Sequence, residues 1–160
     1  MYLWNNFTKR EERVAIIALP VREIKLINKS GRFDFDWELE KEKDIYKIQI
    51  EETKLVVGLI ALTDIPKELR IEINTIESSK ENIGSKKIYD GIAGSLIAFA
   101  CKLAFMRGYY GFVSLIPKTN LIKHYKEIYG FEQEGKHLYL HLANSEKLIR
   151  KYLNQNEKNK

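Results

Sequence analysis

The residues best suited to chemistry lie in one stretch, Tyr89-Asp90-Gly91-Ile92-Ala93-Gly94-Ser95, where a long apolar helical pattern begins. A helix N-terminus leaves up to four backbone N–H groups without internal partners, and its aligned peptide dipoles favour negative charge. Gly91 and Gly94 lack the β-carbons that would keep a ligand off the backbone, Ser95 offers a hydroxyl, and Lys86 and Lys87 stand just upstream. That set suits a diphosphate. The same glycines also suit plain close packing beside a helix cap, and the stretch alone does not separate the two readings. The chain has no Gly-x-Gly-x-x-Gly and no Gly-Lys-Ser/Thr, which sets aside dinucleotide and Walker-type loops.

Other chemistry-bearing residues are scattered. His137 and His141 fall on one face of a strand at even spacing, but without a third ligand they make no metal site. Cys101, the single cysteine, lies in an apolar run; it forms no intrachain disulfide and reads as a small buried thiol rather than a nucleophile. The formal charge of +5 favours polyphosphates, nucleic acid or anionic surfaces without selecting among them, and solvated lysine explains it equally well. No apolar run approaches a membrane span, and the Val14–Pro20 run is too short for a signal peptide, so a cytoplasmic protein with no membrane partner is expected.

The elements that must position these residues follow from periodicity. Val14–Leu19 and Ile24–Ile27 read as one or two strands around Pro20, and Phe33–Lys43 as strand or short helix. Ile45–Ile50, Leu55–Thr63 and Leu69–Ile76 form an antiparallel meander, with the Val/Leu/Ile-rich middle run buried on both faces. A polar loop, Glu77–Lys87, leads to a helix over Asp90–Arg107, apolar almost all round and therefore sandwiched. Tyr109–Ile116 is a strand, Thr119 or Asn120 caps a helix that Gly130 stops, and Phe131–Gln133 with His137–Leu142 make a last strand pair. Ser145 caps a final helix whose apolar face is Leu148, Ile149, Tyr152 and Leu153. The expectation is one α/β (α+β) domain over residues 1–153, with a mixed, mostly antiparallel sheet flanked by helices. A polar tail, Asn154–Lys160, is expected to be disordered.

The meander, the turn Ile88–Ala93, the long apolar helix, the strand, and then Asn120-Leu-Ile-Lys-His-Tyr125-Lys-Glu-Ile-Tyr129-Gly130-Phe131 together resemble the GCN5-related N-acetyltransferases (GNAT), over about Ile45 to Leu142. The resemblance implies an acetyl-CoA-dependent N-acetyltransferase with coenzyme A as co-substrate, an amine acceptor and no metal. By position, Lys87 and Tyr89, Asp90, Gly91, Ile92, Ala93, Gly94 and Ser95 would hold pyrophosphate. The backbone of Ile76 and Ser78 would pair with pantetheine, Asn120 would contact the pantetheine arm, and Tyr125 would lie near the thioester sulfur. Ile88 stands where the family carries Gln or Arg, which puts the binding on backbone amides. The Tyr125–Phe131 spacing is one residue longer than in many members, leaving Tyr125 and Tyr129 both open as the family tyrosine, with Tyr125 favoured. Amine acylation needs a base and an acid for the leaving thiolate. Tyr125 is the candidate acid, and Glu77 and Glu72 are candidate bases; Glu77 lies nearer the cofactor end, and its facing stays open because a bulge there would interrupt the strand's alternation. The alternative is a catalytically degenerate GNAT fold that senses acyl-CoA or serves as a basic RNA- or protein-interaction module. Phe33, Phe35 and Trp37 suit either an acceptor pocket or a homodimer interface. The acceptor itself stays open between small amine, protein amine and charged tRNA.

Overall fold

A computed structural model describes residues 1–154; the expected tail lies outside the described residues from position 155 onward. The described residues form a nine-stranded sheet. Its strands are β1 (Tyr2–Asn5), β2 (Arg10–Ala18), β3 (Asp44–Ile50), β4 (Val56–Ile65), β5 (Arg70–Ser78), β6 (Tyr89–Asp90), β7 (Val113–Leu115), β8 (Glu132–Glu134) and β9 (His137–Leu140). Their spatial order is β6-β1-β2-β3-β4-β5-β7-β9-β8. Every pairing is antiparallel except β5 with β7, where Ile71, Glu72 and Ile73 lie beside Val113, Ser114 and Leu115. The mixed sheet and the β3–β4–β5 meander agree with the sequence pattern.

Four helices flank the sheet: α1 (Ile24–Lys29), α2 (Ile92–Met106), α3 (Ile122–Tyr129) and α4 (Ala143–Tyr152). The middle strand β4 feeds both faces. Ile60 and Leu62 join the main core with Leu96, Ile97 and Ala100 of α2, while Leu59 and Ala61 meet Ile24, Ile27, Phe33 and Trp37 on the other side. Helix α2 is sandwiched as its all-round apolar pattern requires, with α4 against its outer flank.

Several local readings are corrected. Ile24–Ile27 is helical, because Ile24 and Ile27 at i and i+3 bury one stripe after Pro20 ends β2. Phe33–Lys43 is irregular apart from a 3-10 turn at Trp37–Glu40 that the Asp36 side chain caps. β1 and β6 carried no pattern: β1 pairs along its length with the adjacent β2 and at its end with β6, and β6 exists by that long-range pairing. Strand β7 is only three residues long. Neither Thr119 nor Asn120 caps a helix by side chain, since both sit inside a 3-10 turn ahead of α3. Ser145 lies within α4 and donates to the Gly111 carbonyl (2.6 Å) instead of capping.

Candidate functional site

Strands β5 and β7 pair over three residues and then part, because Pro117 follows β7 and the chain turns away into α3. The opening is a groove of about 620 Å³, lined on one side by Asn74, Thr75, Ile76 and Glu77 and on the other by Leu115, Pro117, Leu121 and Tyr125. Asp34 and Phe35 close its outer wall.

The backbone along this groove is set by a bulge. The Ile71 N–H donates to Phe112 O (3.1 Å), so at the start of β5 the odd-numbered residues face β7. At its end the Ser79 N–H donates to Val57 O (2.9 Å), so odd-numbered residues there face β4. The register slips where Leu62 lies opposite Ile73 but Ala61 lies opposite Thr75, leaving Asn74 as the extra residue. The slip turns the N–H and C=O of Ile76 into the groove and those of Ser78 to the same side of β5, away from β4. It also puts Asn74, Thr75 and Glu77 on the face of the sheet that carries the Phe33–Glu40 segment.

Glu77 is at the groove and fully engaged. Its Oε2 accepts the N–H groups of Asp34 (2.8 Å) and Phe35 (3.3 Å), and its Oε1 accepts the indole N–H of Trp37 (2.9 Å). Glu72 is elsewhere, among the paired residues, with Arg70 Nη1 at 3.6 Å and His137 Nε2 at 3.8 Å. The structure therefore does not bring the two carboxylates together at the groove.

Tyr125 projects from α3 onto the groove wall, packed edge-on against Phe131 (5.6 Å between ring centres), and burial raises its pKa. Tyr129 does not line the groove, and burial, then the nearby Tyr152 and Tyr125, push its pKa up strongly. Asn120 is exposed on the turn beside the lining residue Leu121.

The α2 entry is built differently from the expectation. Gly91 is the N-cap at φ 91°, a left-handed conformation that favours glycine. Tyr89 and Asp90 form β6, the buried Asn82 accepts the Tyr89 N–H (3.0 Å), and the Asn6 N–H donates to Ile88 O (2.7 Å). The Asp90 carboxylate accepts from Asn6 Nδ2 (3.2 Å) and pairs with Lys87 (3.2 Å). Burial raises the Asp90 pKa, but these two partners outweigh it and hold the group below its ordinary value. Lys87 is thus committed to Asp90. Burial, helped by Glu12, pushes the Tyr89 hydroxyl up to about 12.

Gly94 is buried under the Tyr152 ring of α4, which makes it a packing glycine. Ser95 is fully buried, its Oγ without a hydrogen-bond partner, so it presents no hydroxyl at the surface. What remains for an anion is the N–H set at the start of α2, at Ile92 and Ala93 beside Gly91. Asn5, Asn6 and Asn82, which fix this turn, carried no sequence signal because their partners lie across the chain or at irregular spacing.

No protein-family model matches the chain, and no curated protein matches it. Solved structures do match. An IAA acetyltransferase from Bacillus cereus is similar at 14% identity and TM-score 0.56, covering 81% of this chain and 100% of that one. An acetyltransferase from Bacillus subtilis, solved with CoA, is similar at 15% identity and TM-score 0.56, covering 81% and 99%. AtaT, solved with acetyl-methionyl-tRNAfMet, is similar at 12% identity and TM-score 0.55, covering 86% and 99%. The chain has the fold of the GNAT acetyltransferases.

Proposed function

We propose that the protein is an acetyl-CoA-dependent N-acetyltransferase acting on an amine. The observation that carries this reading is the parted β5–β7 pair. Main-chain groups of Ile76 face a groove whose far wall is Tyr125, and those of Ser78 lie on the same side of β5. An extended arm with its own amides fits such an edge as an added strand would. Ile76 and Ser78 would hold the pantetheine amides, Asn120 would meet the arm at the rim, and the amides of Ile92 and Ala93 would take pyrophosphate. Lys87 and Asp90, paired with each other, would shape the turn.

Coenzyme A supplies the activated acetyl group and the thiol that leaves. The chain's own part is to orient the amine, exclude competing water and deliver a proton. The amine nitrogen bonds the acetyl carbon, the carbon–sulfur bond breaks, and the amine loses a proton to solvent while the sulfur gains one from Tyr125. A raised tyrosine pKa keeps that hydroxyl protonated at neutral pH. The acceptor is a small-molecule amine, a protein amine or a charged tRNA; the AtaT complex is one case of this fold with an acetylated aminoacyl-tRNA.

Calorimetry with acetyl-CoA, followed by thiol release across a panel of amines, tests the reading. Saturable binding with amine-dependent release supports it, and absent binding removes it. A second reading is a non-catalytic fold, either an acyl-CoA sensor or an interaction module; the Tyr152 ring over Gly94 and the burial of Ser95, which narrow the anion site, favour the module. Binding without release across the panel would select the sensor, and absent binding the module.

A further inference from the structure

We infer that Glu77 is a positioning residue that holds the acceptor wall of the groove in place, and is not the base of the transfer. The inference rests on the acetyl-transfer reading only where it concerns the acceptor. Three N–H donors from Asp34, Phe35 and Trp37 bind both oxygens of this one carboxylate. All three belong to the segment between α1 and β3, and two of them, Asp34 and Phe35, line the groove opposite Tyr125.

The attachment is built from both sides. Thr75, beside the bulge, donates to Glu40 Oε1 (2.7 Å) at the far end of the same segment. Trp37 is wholly buried, and its backbone N–H donates to Asn28 Oδ1 (3.1 Å). The Phe35 ring stands edge-on to Trp37 at 5.4 Å. The Asn74 bulge is what allows Thr75 and Glu77 to reach this segment together. Were β5 regular through this point, Thr75 and Glu77, two residues apart, would both point to the other face of the sheet.

A base must take up a proton, and protonating a carboxylate that already accepts three protein N–H groups would weaken the charge-assisted bonds that hold the wall. The clamp and the base are therefore competing uses of one side chain. With Glu77 committed to the wall, its loss changes where Phe35 and Asp34 stand and hence how the amine is received.

The test uses the full chain carrying Trp4→Phe, which leaves Trp37 as its tryptophan, alone and combined with Glu77→Gln or Glu77→Asp. Glutamine keeps the shape but turns an NH₂ toward N–H donors, whereas aspartate keeps the charge and withdraws it by one methylene. Acrylamide quenching of Trp37 is expected to rise roughly threefold or more in Glu77→Gln as the segment loosens. Thiol release from acetyl-CoA with ethanolamine, followed from pH 6 to 9.5, is expected to show an amine KM raised about tenfold with the pH profile unchanged in shape. Unaltered Trp37 quenching would overturn the inference. So would loss of the profile's acidic limb at unchanged amine KM, the mark of a base. If Glu77→Gln does not fold, Glu77→Asp carries the same readings. Coenzyme A calorimetry on the parent protein separates the two failures: absent binding ends the acetyl-transfer reading, while Trp37 quenching still decides the clamp.

Discussion

Tyr152 of α4 packs against Gly94 of α2 so closely that a β-carbon at position 94 would overlap the ring atoms Cζ and Cε1. A β-carbon at Gly91 would meet the edge of the same ring at van der Waals distance. The final helix therefore reaches the very turn from which the candidate pyrophosphate amides project. Gly94→Ala is expected to destabilise the fold. Alanine gains about 1 kcal/mol of helix propensity, but overpacking against a ring costs about 1–3 kcal/mol. Tyr152→Ala removes the obstacle, so the double variant should be more stable than the sum of the two single changes by about 1 kcal/mol or more. Urea unfolding of the four proteins measures this, and additivity would show that α4 yields freely.

Acid should act on the turn through Asp90. Its folded pKa is depressed by Asn6 and Lys87 against the opposing effect of burial. A depressed carboxylate contributes stability above its unfolded value, near 3.9, and loses it as pH falls through the folded value. Glu81, which burial also raises but Arg32 pulls below its ordinary value, has the same sign. Both groups are substantially solvent-exposed, so each effect is modest, under about 1 kcal/mol. Thermal unfolding of Asp90→Asn should lie below the parent at pH 7 and converge with it as pH falls from about 5 to 2. A gap that stays constant over that range would place the loss in something other than the charge.

How much of this was legible differs by element. The β3–β4–β5 meander and α2 were readable because period and length agree there, as in the alternation of Ile71 and Ile73 against Arg70 and Glu72. Ile24–Lys29 was not, since six residues with apolar positions at Ile24, Leu26 and Ile27 satisfy strand and helix periods alike. β1 and β6 lie more than eighty residues apart, and nothing local in Tyr2–Asn5 announces a strand that closes on Tyr89. At the site, Ile76, Ser78 and Tyr125 were candidates through the family resemblance alone, and Ile76 and Tyr125 line the groove. The engagement of Glu77 was hidden because it depends on a one-residue bulge, and the covering of Gly94 because it depends on where α4 returns.

Ser145 illustrates the same limit and gives a direct test. Its position near the start of α4 suggests a cap, yet its hydroxyl donates to Gly111 O, and Gly111 itself takes a left-handed φ of 72° against the Phe105 ring. The bond ties the start of α4 to the chain entering β7. Ser145→Ala leaves a buried carbonyl unpaired, which costs about 1–3 kcal/mol. If the serine were only a surface cap, substitution by glycine would cost only a few tenths of a kcal/mol. Ser145→Gly is therefore expected to be at least as damaging as Ser145→Ala, and a nearly silent Ser145→Gly would contradict the tie.

The two tyrosines of α3 can be told apart by substitution. Tyr125 reaches the groove while Tyr129 packs toward Tyr152, and burial keeps both hydroxyls protonated well above neutrality. If the Tyr125 hydroxyl protonates the leaving thiolate, Tyr125→Phe should lower amine-dependent thiol release by about 10²-fold or more, the range for a positioned acid. Coenzyme A affinity should stay within about threefold, since the ring still packs on Phe131 and only the hydroxyl is lost. Because burial raises the pKa, the basic limb that belongs to this group should lie above the ordinary tyrosine range and be absent from the Tyr125→Phe profile. Tyr129→Phe should leave turnover unchanged. Equal turnover in Tyr125→Phe and the parent would remove the acid role, whereas a loss in Tyr129→Phe alone would move it one turn along the helix.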